Sequence, residues 1–301
     1  MLCWPHRACP APDPESRPVR PRDDTRPTDR RLKPDTRRRA WLAATLLALA
    51  LPARAGLPEV IAVAKPGVVA VGTFNPLDSP RFAFRGTGFA VHDGSYVITN
   101  QHVLPSPGEA EQLSRLSVLV ARGGRVSEAR SARIAGTDRA HDLVLLKIEG
   151  PSLPPLALGD ADAAREGMSI ALVGFPIAGA LGYSPVTHRG IVSAITAIAL
   201  PASTSRQLDP RALQKLREGP FDIFQLDATA YPGNSGGPVL DAETGEVVAV
   251  VNMVLVRGTR ENAIQFPSGI SYAIPVRHVH ELLQQATTPA AEPTASAQPP
   301  R

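Results

Sequence analysis

From residue 56 onward, apolar residues come in short runs rich in Val and Ile, broken by Gly, Pro and Asp. Runs at 68–74, 87–92, 96–99, 116–121, 142–148 and 169–175 read as strands, followed by 188–198, 223–228, 238–240, 247–256 and 270–274. Such β-branched segments with frequent turn signals predict an all-β barrel or sandwich, because alternating βαβ units would need helical stretches between the strands. Two stretches carry a helical pattern. Residues 209–218 begin on a capping-type Asp, and 275–285 space Val276, Val279, Leu282 and Leu283 along one helix face. The Pro/Ala/Thr-rich residues 287–301 read as a flexible tail. No internal repeat is visible.

The pattern changes before residue 56. Arg37, Arg38 and Arg39 precede an apolar run at 41–51, then Pro52 and the small-x-small sequence Ala53-Arg54-Ala55. A basic segment, a short apolar core and an A-x-A site predict an export signal over 32–55, and place the mature protein in the periplasm or outside the cell. A buried core helix fits poorly, since the run has no polar face; an uncleaved membrane anchor is the main alternative. Residues 1–31, rich in Pro, Arg and Asp, have no apolar periodicity; the expectation is that Met1 is a misassigned start and that this extension is untranslated, or disordered if made.

Charge and cysteine content then narrow the chemistry. Residues 1–55 hold 12 of the 32 Lys/Arg and 6 of the 28 Asp/Glu, so the body is close to neutral and gives no electrostatic reason to bind nucleic acid. Nothing beyond the export segment calls for a membrane. Both cysteines, Cys3 and Cys9, also precede the body, which excludes a disulfide, a Cys-ligated zinc or a cysteine nucleophile there. No metal site or cofactor motif is apparent.

The strongest local signal is Tyr231-Pro232-Gly233-Asn234-Ser235-Gly236-Gly237-Pro238. A serine hydroxyl attacks only when a base takes its proton and donors stabilise the resulting oxyanion. Glycines let the backbone turn sharply enough to aim N–H groups into one small volume. The expectation is an oxyanion hole over Gly233, Asn234 and Ser235, with the N–H groups of Gly233 and Ser235 as donors. A plain Gly/Asn turn is the bland alternative. Of the seven histidines, His102 follows an apolar strand where a loop begins, a position favoured by active-site residues. His92 and His188 read as structural, and His278 and His280 as solvated or capping residues of the last helix. Asp142 stands at the mouth of the apolar strand 142–148, where a carboxylate asks for a partner. Asp138 competes with it as the acid. His141 competes as the base, although neighbouring strand residues point to opposite faces.

Order favours His102, Asp142 and Ser235 as the triad. Here the chain resembles the trypsin-like serine proteases, and more closely their bacterial HtrA (Deg) branch. The matching segments include Gly86-Thr87-Gly88-Phe89, Thr99-Asn100-Gln101-His102-Val103, Asp142-Leu143-Val144 and Gly190-Ile191-Val192-Ser193. They continue through Gln225–Gly237 and Gly269–Pro275, and together cover about residues 57–286.

The resemblance implies a protease domain at 56–286 built from two antiparallel six-stranded β-barrels with a C-terminal helix and the triad between them. It implies polypeptide substrates, and raises a homo-oligomer, the family's trimer. The PDZ domains usual in that branch are not expected, since about fifteen residues follow the last helix. Asn234, where digestive relatives have Asp, is a neutral amide with no charge to pair with a new N-terminal amine. No zymogen cleavage is therefore expected, and the loops 175–187 and 200–220 are candidates to order the site. By analogy Thr229, Ala230 and Tyr231 wall the primary pocket. With no acid at its base, a small or medium apolar residue is expected there. Two rivals are an α/β-hydrolase, which would need a helix directly after the serine, and a silent protease-fold protein that only binds peptides or partners.

Overall fold

A computed structural model describes residues 56–105, 114–122, 126–160, 162–176, 182–197, 221–252 and 269–288. The export segment, the expected helix at 209–218, the loop 200–220 and nearly all of the tail lie outside the described residues.

Twelve strands form two closed antiparallel barrels. The first contains β1 (Val68–Phe74), β2 (Phe82–Val91), β3 (Tyr96–Asn100), β4 (Arg115–Arg122), β5 (Val126–Asp138) and β6 (Leu143–Ile148), in spatial order 1-2-3-6-5-4. The second contains β7 (Ser169–Gly174), β8 (Val186–Ala197), β9 (Asp222–Asp227), β10 (Pro238–Asp241), β11 (Val247–Val251) and β12 (Ile270–Pro275), in order 10-11-12-9-8-7. Helix α1 (Leu57–Ala64) precedes the barrels and helix α2 (Arg277–Thr287) closes the described chain. Among the described residues no helix is long and apolar enough to cross a membrane.

The apolar runs become strands because closure of each barrel pairs every edge. β6 is buried on both faces, which is why it reads as an unbroken apolar run. Val144, Leu146 and Ile148 fill the first barrel's interior with Val69, Val71 and Val97. Leu143 and Leu145 point the other way, into a cluster that gathers Phe89 and Ile98 with Val173, Leu240, Val250 and Ile274 of the second barrel. Val279 and Leu282 of α2 join the same cluster, so the last helix is part of the core between the barrels. A third cluster, around Leu172, Phe224, Leu226 and Ala249, fills the second barrel.

Two elements escape the sequence pattern. β5 carries Glu128, Arg130 and Arg133, yet it pairs on one side with β4 and on the other with β6, from Ala132↔Ile148 to Asp138↔Leu143. Its place comes from the backbone ladder, and its buried Arg130 donates Nη1–H to the Pro151 carbonyl at 2.6 Å. Helix α1 is only eight residues long with Pro58 in its first turn, too short to display a period; Val60 and Ala64 are its buried face.

Candidate active site

His102 and Asp142 are brought together by the β3–β6 ladder, in which Asn100 faces Leu143. β3 ends in a 3-10 turn, Gln101–Val103, that carries His102. Asp142 precedes β6 rather than opening it, in the left-handed region at φ 54°. Asp tolerates that region better than most residues. The conformation is locked from outside: the Asp142 carbonyl accepts from Gln101 N–H at 3.0 Å and from Asn100 Nδ2 at 3.1 Å. Its carboxylate then grips His102 at two points. Oδ1 accepts the backbone N–H at 3.0 Å, and Oδ2 accepts Nδ1–H at 2.6 Å. A carboxylate at Nδ1 fixes the tautomer and leaves Nε2 as the acceptor.

Ser235 stands in the turn between β9 and β10 and is 6% exposed. Positive φ at Gly233 (105°) and Gly236 (84°) makes this turn possible, and neither position has room for a side chain. A β-carbon would lie 2.4 Å from the Phe175 carbonyl oxygen at Gly233, and 2.2 Å from that of Thr87 at Gly236. Backbone bonds fasten the turn to both barrels. The Ser235 carbonyl accepts Thr87 N–H at 2.9 Å, and Gly236 N–H donates to Val251 at 2.9 Å. The Thr87 hydroxyl donates to the Gly233 carbonyl at 2.6 Å and accepts Phe175 N–H at 3.0 Å. The first barrel thus approaches the serine close to His102: a β-carbon on Gly86 would sit 3.0 Å from the Ser235 carbonyl oxygen and 2.7 Å from Val103 Cγ2.

The carboxylate-held imidazole and the glycine-framed serine occur in a recognised family. A family model described as trypsin-like peptidase domain matches residues 86–250, more than half of the chain. The chain belongs to the trypsin-like peptidase family. It is 32% identical over 203 residues to a Pseudomonas fluorescens protein named "Probable periplasmic serine endoprotease DegP-like", covering 67% of this chain and 35% of that protein. A Chlamydia muridarum protein of the same name is 30% identical over 210 residues, covering 70% and 35%. The chain therefore spans about a third of the length of these relatives. Among solved structures it is similar to HtrA-type protease AlgW with decapeptide (TM-score 0.55, 23% identity, 77% of this chain and 67% of that one). A second, AlgW with tripeptide, matches at TM-score 0.53 and 24% identity over 78% and 64%. Both carry the trypsin-like fold found here.

Within that fold the competing acid and base pair with each other. Asp138 Oδ2 accepts His141 Nδ1–H at 2.6 Å, and Oδ1 accepts the His141 backbone N–H at 3.1 Å. Burial alone would raise the Asp138 carboxyl, but the hydrogen bonds from the His141 ring and N–H outweigh it and hold the group below the usual range. His278, expected as a solvated or capping residue, is buried against His141. His280 donates Nε2–H to the Gly159 carbonyl at 2.9 Å. His188 packs its ring against Tyr231 at 5.7 Å, and burial pushes its pKa down.

Thr229 lines a pocket of about 510 Å³ with Arg189, Asp227 and Ala228. Ala230 is buried with its N–H on Ser271 Oγ at 3.1 Å, while that hydroxyl donates to Ala228 at 2.6 Å. Asn234 is fully buried, and neither amide atom has a hydrogen-bond partner among the described residues.

Asn252 was not visible as a site residue in the sequence. Its Nδ2 donates to Asp142 Oδ2 at 2.9 Å, on the same oxygen that serves His102. A polar residue ending the apolar run 247–251 is the signal that could have found it, the mirror of Asp142 at the mouth of β6.

Proposed function

We propose that the chain is a serine endopeptidase, acting in the periplasm or outside the cell on exported or misfolded polypeptides, with His102, Asp142 and Ser235 as its triad. The observation that carries the reading is the two-point grip of Asp142 on His102, at 3.0 and 2.6 Å, which presents Nε2 as a base. Ser235 Oγ attacks the scissile carbonyl while His102 Nε2 takes its proton, and Asp142 stabilises the imidazolium. The tetrahedral oxyanion is held by the N–H groups of Gly233 and Ser235, across Asn234. His102 then returns the proton to the leaving amine. An acyl-enzyme remains on Ser235, and water, deprotonated by the same imidazole, hydrolyses it. The names of the relatives, periplasmic serine endoproteases, support both the activity and the compartment. The fold's likeness to peptide-bound AlgW supports polypeptide substrates.

The same proposal divides the chain into an export signal at 32–55, a protease body at 56–286 and a tail at 287–301. Thr229, Ala230 and Tyr231 form the primary pocket wall, which accepts a small or medium apolar residue. A buried neutral amide at Asn234 supports activation without N-terminal cleavage.

Purified protein treated with a fluorophosphonate probe tests the reading, with Ser235→Ala and His102→Ala as controls. Labelling that maps to Ser235 and is lost in both controls is expected. Folded protein that stays unlabelled, even with denatured casein present as activator, would instead make the chain a peptide-binding protein on the same fold.

A further inference from the structure

A second cluster of titratable groups lies where α2 meets the turn between β5 and β6. The rings of His141 and His278 stack face to face, 3.5 Å between centroids and 13° from parallel. Phe221, at the start of β9, stands edge-on to both, at 4.6 Å and 5.8 Å. Asp138 holds His141 from the turn, and Glu281 accepts His278 Nδ1–H at 3.1 Å from within α2. Donor atoms of Asp138, His141 and His278 all lie within 4.8 Å of one another. They do not form an ion site, because imidazole lone pairs lie in the ring plane and those of two near-parallel rings do not converge.

We propose that the His141–His278 stack is an acid-sensitive latch, which holds α2 to the turn that carries Asp142 and opens when both rings take a proton. One added charge can be met by Asp138 or Glu281. Two positive rings 3.5 Å apart, with Phe221 edge-on to both, repel each other across a short gap. The charges facing His278 are those of His141, Glu281 and Asp138; Arg277 beside it turns to Asp162 at 3.6 Å. Burial, and then the nearby His141, depress the His278 pKa against the opposing pull of the two carboxylates. The neutral form is therefore favoured by folding, and stability is lost as pH falls below about 6.5. Asp142 follows His141 directly, so opening the stack frees the turn on which the candidate site depends.

The latch is independent of the peptidase reading, since folding is its readout. Urea unfolding of the full chain between pH 8 and 5 tests it, comparing the unmodified protein with His278→Phe, His278→Gln and His141→Gln. The unmodified folding constant should fall by up to tenfold per pH unit below about pH 6.5, beyond the fall in either His278 variant. His141→Gln should lose part of that dependence. His278→Gln can still donate to Glu281, so it serves if the Phe variant does not fold. Hydrogen exchange on the unmodified chain gives a further readout: α2 amides should lose protection on acidification before those of β6. The proposal is overturned if the ratio of folding constants is the same at every pH. It is equally overturned if His141→Gln titrates as steeply as the unmodified protein, or if α2 and β6 open together.

Discussion

Asp142 Oδ2 accepts two donors, His102 Nδ1–H and Asn252 Nδ2–H, and the second comes from the end of β11 in the other barrel. Removing the amide leaves the carboxylate freer to rotate away from the imidazole. A hydrogen bond to a charged group contributes about 1.5–3 kcal/mol, so Asn252→Ala should slow fluorophosphonate labelling by about ten- to a hundredfold, with an unchanged circular-dichroism spectrum. Thr87 is the corresponding link on the Ser235 side. Thr87→Val leaves the Phe175 N–H and the Gly233 carbonyl without their shared partner, and should cost about 2 kcal/mol in urea unfolding. Asn234→Asp would put an unpaired charge at a fully buried site. It should destabilise the fold by roughly 3 kcal/mol at neutral pH, and the loss should shrink toward pH 5 as the carboxyl takes a proton.

At the scale of elements, α2 belongs to the core rather than to the surface. Leu282 is 2% exposed, and a β-carbon on Gly136 of β5 would lie 3.1 Å from its Cδ1. Leu282→Ala should cost about 3 kcal/mol, read as a lower urea midpoint. The helix was legible because Val276, Val279, Leu282 and Leu283 show a period; its docking was not, because His278 reads as polar in any sequence window. β5 was illegible for a related reason: a strand held between two ladders can carry charge where one of its faces reaches solvent. α1 was missed because eight residues do not reveal a face.

For the whole molecule, the shifted groups define a window of pH stability. Burial depresses His188 and His278, which lowers stability as pH falls below about 6.5. The Asp138 carboxyl is held low, so its contribution persists down to about pH 4 and is lost below that. Burial raises Tyr183, which lowers stability above about pH 10, where the unfolded phenol ionises first. Urea midpoints plotted against pH should therefore show a plateau from about 7 to 10, with a loss on either side.

The chain's own pattern determined the all-β class, most of the strands, the last helix and the order His102, Asp142, Ser235. These are written in local signals: apolar runs of strand length, turn residues, and polar groups placed where apolar runs begin or end. The resemblance to HtrA proteases supplied the two barrels. Tertiary structure alone decided which acid meets which histidine, because Asp138 and Asp142 are both plausible partners in sequence. The left-handed backbone at Asp142 and the β3–β6 register bring it to His102, while Asp138 is left to His141. Asn252, the Thr87 clamp and the stacked histidines are likewise contacts between residues far apart in the chain. Barrel closure sets those distances, and no local window contains them.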